Sequence, residues 1–240
     1  MTTQILQLSD FHILENPTDE LRGVTTAACL AEVWELVRSS YGNADLLVMT
    51  GDIAAHGEEG AYRQVQELFA DALSRCRLLP GNHDDSGTMQ RFFGELIAAN
   101  NTAITFSQEL DGWRLIGLDS HVAGEVHGEI TAEQLDWLGR ELNNSAQQPT
   151  LLFLHHPPIS VASEWLDRIM LRNPQQISDV LDSAPQVRAI FCGHVHHEFQ
   201  GILGNVPVFT TPSTAIQFTP GTAELIFDDI PPGFRVIELS

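Results

Sequence analysis

The sequence predicts an α/β fold built around a parallel sheet, and three observations predict it. Short apolar runs recur along the chain, and one of them, Leu46 to Met49, is apolar at every position, as suits a strand buried on both faces. Segments with helical spacing of apolar residues separate the first of these runs, which implies strand–helix–strand crossovers. Polar turns holding Asp, Asn and His follow the runs, and in parallel sheets ligands bind outside the carboxyl ends of strands.

Gln4 to Ser9 alternates apolar and polar residues and reads as the first strand, followed by Asp10-Phe11-His12. There a carboxylate and an imidazole face one side of a turn, with Phe11 pointing away. Thr25 or Thr26 caps a helix running to Arg38, whose Leu30, Val33, Trp34 and Val37 recur at helical spacing. Asp45 to Thr50 is the second strand and ends in Gly51-Asp52. Glu58 to Leu73 reads as an amphipathic helix. Cys76 to Leu79 is the third strand, stopped by Pro80-Gly81, where Gly81 is expected to take backbone angles that a side chain forbids. Asn82-His83-Asp84 then present an amide, an imidazole and a carboxylate together.

Thr102 to Phe106 and Trp113 to Asp119 read as strands joined at Asp111-Gly112. A loop from Ser120 to Glu129 carries His121 and His127, both expected in solvent. Thr131 caps a helix holding Leu135, Trp137, Leu138 and Leu142. Thr150 to Leu154 is a strand ending in His155-His156-Pro157-Pro158, where the prolines keep the loop extended. Trp165 to Leu171 and Pro174 to Leu181 read as short helices separated by Arg172-Asn173. Val187 to Cys192 is a strand ending in Gly193-His194-Val195-His196-His197. An extended His-x-His puts both imidazoles on one side and His197 on the other. The tail from Glu198 reads as antiparallel strands with turns at Gly204-Asn205, Pro212 and Pro231-Pro232-Gly233. No internal repeat interrupts the chain, and residues 1–240 read as a single domain.

The formal charge is -20, and all 12 basic residues are Arg. That balance excludes duplex nucleic acid and anionic membrane as partners, since both need basic surface. An anionic substrate would meet a repulsive surface unless bound cations created local attraction. No apolar run is long enough to span a bilayer, and the N-terminus lacks the pattern of a signal peptide, so a cytoplasmic location is expected. Cys29, Cys76 and Cys192 lie far apart in apolar contexts and are expected as buried free thiols. No G-x-S-x-G elbow supports a serine hydrolase.

Five strands thus end in residues that bind metals: Asp10 and His12, Asp52, Asn82, His155 or His156, and His194 and His196. In order these are D-x-H, G-D, G-N-H-D, H-x-P-P and G-H-x-H. The set resembles the calcineurin-like metallophosphoesterases, and within them the class III 3′,5′-cyclic-AMP phosphodiesterases of bacteria. The likeness extends to Leu118-Asp119-Ser120, Trp165-Leu166-Asp167, Leu171-Arg172-Asn173, Thr211-Pro212-Ser213-Thr214 and Pro232-Gly233.

The resemblance implies a four-layer α/β/β/α sandwich of two mixed sheets. It places Asp10, His12, Asp52 and His196 on one metal and Asp52, Asn82, His155 and His194 on a second, bridged by Asp52. The ions implied are Fe and/or Mn, with Zn compatible. The implied reaction is hydrolysis of the phosphodiester of 3′,5′-cAMP to 5′-AMP by a metal-bridging hydroxide. Asp52, Asn82 and His83 are the catalytic set, with His83 assisting the leaving group and Asp84 orienting His83 or a ligand. His156 is either a support for the ligands or part of the pocket wall. Substrate contacts are expected from His12, Asn82, His83 and His196, and at the rim from Arg172 and Asn173, with Arg22, Ser213 and Thr214 as further candidates. The protein is expected as a monomer or homodimer. A broader phosphodiesterase for 2′,3′-cyclic nucleotides or glycerophosphodiesters remains an alternative, as does a non-catalytic cyclic-nucleotide or metal sensor.

Overall fold

A computed structural model describes residues 2–97 and 103–240. The first half runs β1 (Thr3–Leu8), α1 (Thr26–Tyr41), β2 (Leu46–Thr50), α2 (Glu59–Leu68), β3 (Cys76–Leu79) and α3 (Ser86–Phe93). Next come β4 (Phe106–Leu110), β5 (Trp113–Gly117), α4 (Ala132–Asn144), β6 (Thr150–Leu154), α5 (Glu164–Asp167), α6 (Pro174–Leu181) and β7 (Val187–Cys192). The tail holds β8 (Phe199–Leu203), β9 (Val206–Thr210), β10 (Gln217–Phe218), β11 (Phe227–Asp228) and β12 (Arg235–Leu239).

Two mixed sheets result, ordered β12-β1-β2-β3 and β4-β5-β6-β7-β9-β8. Strands β1, β2 and β3 are parallel, as are β5, β6, β7 and β9, while β12, β4 and β8 pair antiparallel at the edges. Ile5, Val48 and Leu79 of the first sheet pack against Leu115, Phe153 and Phe191 of the second in one apolar layer. The outer face of the first sheet is covered by α1 and α2 through Leu30, Trp34, Tyr62 and Val65. The outer face of the second is covered by α4 and α6 through Leu138, Leu142, Ile177 and Leu181. This is the four-layer α/β/β/α arrangement. It also explains the apolar strands: β2 and β6 are buried along their whole length because each is covered on both faces.

Several local expectations are corrected. The second helix ends at Leu68, and Leu73–Arg75 forms a separate 3-10 turn before β3. The strand expected at Thr102 to Phe106 starts at Phe106 and runs on to Leu110, and Thr102 lies outside the described residues. The helix α3 adds to the expected elements, and Asp85 caps it by accepting from Thr88 N–H. Trp165 to Leu171 contains only the short α5. The tail is not purely antiparallel, since β9 runs parallel to β7. Cys76 and Cys192 are buried free thiols, while Cys29 is half-buried. Among the described residues no helix is long and apolar enough to cross a membrane.

Candidate metal centre

The carboxyl ends of β1, β2, β3, β6 and β7 converge where the two sheets meet, and the turns that follow them are sharply bent. Eight non-glycine residues among those described have positive φ, and five of these are Asp10, His12, Asp52, His194 and His196. Left-handed backbone is costly for side-chain-bearing residues and persists where the surroundings enforce it. It also corrects the reading of His-x-His as part of a strand. The strand β7 ends at Cys192, and His194 and His196 reach the site from alternating left-handed positions in the following loop.

Gly81 is needed for a different reason from the one expected. Its φ is ordinary, but a Cβ there would stand 2.2 Å from Asp52 Oδ1 and 2.5 Å from Asp52 N. Only a glycine lets the end of β3 pass so close to the end of β2. Asp52 uses that proximity, because its Oδ1 accepts from His83 N–H at 2.9 Å.

Asp10, His12, Asp52 and His196 bring their ligand atoms within 4.8 Å of one another, all buried. His12 Nε2 lies 3.0 Å from His196 Nε2 and 3.5 Å from Asp52 Oδ2. His196 Nε2 lies 3.4 Å from Asp10 Oδ1. Nitrogen and oxygen ligands held about 2.0–2.2 Å from one ion fall at about these mutual spacings. His155, His156 and His194 form a second cluster. Asp52 Oδ2 is 3.4 Å from His155 Nε2, which is 3.3 Å from His194 Nδ1. Asp52 therefore stands between the two clusters. Asn82 Oδ1 and His194 Nε2 are buried without a hydrogen-bond partner. Such orphaned donors and acceptors are expensive in a dry site unless an ion or ligand meets them. The residues present thus fit a pair of metal ions.

Backbone carbonyls fix the imidazoles. His155 Nδ1 donates to Thr50 O at 2.7 Å and His196 Nδ1 to Ile216 O at 2.6 Å, which turns each Nε2 into the site. His83 Nδ1 donates to Ala55 O at 2.8 Å, leaving its Nε2 free at the open side. Burial opposes charge on Asp52, but the imidazoles of His155 and His12 outweigh it and hold the carboxyl well below its ordinary value. Burial likewise opposes charge on Asp10, and His196 and His155 outweigh it, so this carboxyl too is lowered. Burial pushes His12 and His194 each down to about 3, so both imidazoles are neutral and have a lone pair to offer.

Asp84 does not orient His83. Its Oδ1 accepts from Ala54 N–H and its Oδ2 from Gly81 N–H, at 2.9 Å each, and Oδ2 also accepts from Ile53 N–H. It ties the turn after β2 to the turn after β3. Ser213 Oγ donates to Asp10 O at 2.7 Å and holds that backbone rather than facing substrate space. Thr214 is wholly buried, and its N–H donates to Ser9 O. Asn173 spends its side chain on the backbone of Ile130, accepting from N–H at 3.0 Å and donating to O at 2.7 Å. Arg172 is exposed, and neither residue lines the cavity over the clusters. His156 is buried with Nδ1 2.9 Å from Ser120 Oγ. His197 is buried, and neither ring nitrogen has a partner.

That cavity, of about 330 Å³, is lined by His12, Asp52, Asn82, His83, His194 and His196 on its polar side. Arg22 overhangs it, and Trp165, Phe218 and Phe227 form much of its apolar side. The aromatic side escaped sequence reading because Phe218 and Phe227 sit on two-residue strands that carry no periodic signal. A larger cavity of about 700 Å³, lined by Asp119, His121 and Arg140 among others, contains none of the clustered ligands.

The family model for calcineurin-like phosphoesterases matches residues 3–198. The chain is 35% identical over 237 residues to a 3′,5′-cyclic adenosine monophosphate phosphodiesterase of Pseudomonas aeruginosa, covering 98% of this chain and 85% of the relative. A 3′,5′-cyclic-nucleotide phosphodiesterase of Nostoc is 34% identical over 235 residues, covering 98% and 87%. Among solved structures, a dimetal phosphatase from Danio rerio superposes with a TM-score of 0.70 at 16% identity, covering 99% of both chains. A purple acid phosphatase from yellow lupin seeds superposes with a TM-score of 0.68 at 12% identity, covering 99% of this chain and 48% of that one. At such identities the structural likeness is one of fold.

Proposed function

The chain belongs to the calcineurin-like phosphoesterase family, and from that premise we propose that it hydrolyses 3′,5′-cyclic AMP to 5′-AMP with two bound metal ions. The observation that carries this reading is the pair of donor clusters meeting at Asp52. The similarity to relatives named as 3′,5′-cyclic adenosine monophosphate phosphodiesterases, over 98% of this chain and 85% of theirs, supports the substrate.

Asp10, His12, Asp52 and His196 would hold one ion. Asp52, Asn82, His155 and His194 would hold the other. Carboxylate, imidazole and amide without cysteine suit Fe and Mn and accept Zn. When bound, such a pair supplies positive charge against the anionic diester and lowers the pKa of water toward neutrality.

The chain's own residues do the rest. Buried Asp10 and Asp52 stay ionised, which keeps the cluster charged for cations and closed to a bare anion. Asn82 and His83 project together from the turn after β3, where the Asp84 clamp fixes the backbone. His83 Nε2 faces the cavity, where it would deliver a proton to the departing 3′ oxygen. A positioned acid of this kind contributes about 10²–10⁴-fold.

Product analysis tests the reading. Phosphorus NMR of a reaction run in ¹⁸O-water should show 5′-AMP carrying the label on phosphorus. Formation of 3′-AMP, or no product from metal-loaded protein, would refute it.

A further inference from the structure

One wall of the cavity plays no part in the chemistry assigned above. Phe218 lies flat on the His196 ring, with centroids 4.0 Å apart and planes at 8°. Trp165 meets Phe218 edge-on at 5.2 Å, and Phe227 continues the surface at 6.0 Å. Ile169 and Val126 border the same wall.

Phe218 and Phe227 are cross-strand partners in the β10–β11 ribbon. That ribbon has two residues per strand and pairs with neither large sheet. A ribbon so short is not stable by itself. It is anchored by the Phe218–His196 stack and by its connecting loop. There Glu164 N–H donates to Thr222 O, and Thr222 N–H donates to Ser163 Oγ, both at 3.1 Å. The ribbon's Phe227 remains open to solvent at 45% exposed, and so does Val126 on the neighbouring loop at 54%. Contiguous apolar surface left exposed at a cavity mouth marks a place that a ligand covers. The opposite side of this cavity is the carboxylate, amide and imidazole cluster, which with metal ions bound would meet an anionic group, so a ligand that fills the cavity has one anionic end and one flat apolar end.

Resting on the phosphodiesterase reading above, we propose that Phe218, Phe227 and Trp165 form a nucleobase slot, with the phosphate at the donor clusters and the base stacked on the ribbon. His196 belongs to both halves. It faces the clusters through Nε2 and carries Phe218 on its ring, so the distance between phosphate site and base site is set by one side chain.

Calorimetric titration of Mn²⁺-loaded protein with 5′-AMP and with ribose 5-phosphate reads the slot without turnover, since the two ligands differ by the base. Stacking of a base on an aromatic side chain corresponds to about tenfold or more in affinity. AMP should therefore bind at least about tenfold more tightly than ribose 5-phosphate. Phe227→Ser should abolish most of that advantage and Phe227→Trp should retain it. Phe227 is half exposed, and a thermal melt verifies that the serine variant is folded. Equal affinities in the unmodified protein, or an AMP advantage that Phe227→Ser leaves intact, would overturn the slot. Cyclic-AMP hydrolysis on the same preparation separates the two claims. An AMP advantage without turnover upholds the slot and defeats the reaction, whereas turnover without an AMP advantage defeats the slot alone.

Discussion

The phenol of Tyr62 donates to Oδ1 of Asp84 at 3.0 Å, and both side chains are buried. The same phenol oxygen accepts from Asp85 N–H at 2.8 Å. A residue of α2 thus supports the carboxylate that binds the turns bearing Asp52 and Asn82. Tyr62→Phe should cost about 1–2 kcal/mol in urea unfolding, and Asp84→Asn about 2–4 kcal/mol, because an amide turns an N–H toward backbone donors. If Asp84→Asn were as stable as the unmodified protein, the clamp would not be what holds the two turns.

His83 and Asn82 are neighbours with separable roles. His83→Ala should lower kcat by about 10²–10⁴-fold while metal content stays unchanged by elemental analysis. Asn82→Ala should lose metal as well as rate. A His83→Ala protein with normal kcat would remove the proton-donor role.

Arg22 stands at the tip of a tight turn closed by pairing of Leu21 with Val24, with φ of 54° and Gly23 at 83°. It is exposed, overhangs the cavity and makes no ion pair among the described residues. In a chain with a formal charge of -20 it is a cation placed where an anionic substrate enters. Arg22→Gln should raise KM several-fold with kcat little changed, and should flatten the rise of KM between about 0.05 M and about 0.5 M KCl. An unaltered KM and salt response would show that Arg22 does not meet the substrate.

Metal loading should raise thermal stability, because ligands that bind only the folded state stabilise it by mass action. With Mn²⁺ at about 100 times its dissociation constant, Tm should rise by about 5–10 °C over EDTA-treated protein. Asn82→Ala should shrink that shift. A Tm insensitive to both Mn²⁺ and EDTA would contradict a metal centre built from these residues.

Asp119 supplies a pH test away from the clusters. Burial pushes its carboxyl up to about 6, against backbone N–H donors from Ile104 and His121. The folded protein therefore holds a proton that the unfolded chain releases from about pH 3.8 upward. This group favours folding most below pH 3.8, loses that contribution as pH rises through about 6, and adds no slope once the folded carboxyl is fully ionised. The window amounts to on the order of 2–3 kcal/mol. Asp119→Asn should remove that slope from urea midpoints measured between about pH 4 and pH 7. An identical slope in the variant would locate the titration elsewhere.

The sequence was most informative where a strand is buried on both faces, because continuous apolarity followed by a Gly-containing turn leaves few other readings. Among the strands that lead into the site, β2 meets both conditions; β3 and β7 each carry an Arg and β6 runs into His155-His156-Pro157-Pro158 without a glycine, so there the Asn and His residues after the strand are the signal. It was least informative where backbone conformation or long-range partners decide. Nothing local shows that Asp10, His12, Asp52, His194 and His196 adopt left-handed φ, since the close approach of strand ends imposes it. The amide of Asn173 looks the same in sequence whether it faces a ligand or, as found, the backbone of Ile130. Asp84 follows His83 directly yet serves Ile53, Ala54 and Gly81, contacts that exist only once β2 and β3 pair.

The central claim is tested most directly by initial rates of the Mn²⁺-loaded protein on 3′,5′-cAMP, 2′,3′-cAMP and bis(p-nitrophenyl) phosphate, each with an EDTA control. The account predicts the highest kcat/KM for 3′,5′-cAMP, abolished by EDTA and restored by Mn²⁺. Turnover of only the 2′,3′-cyclic or aryl diesters, or hydrolysis of cAMP that survives EDTA, would contradict it.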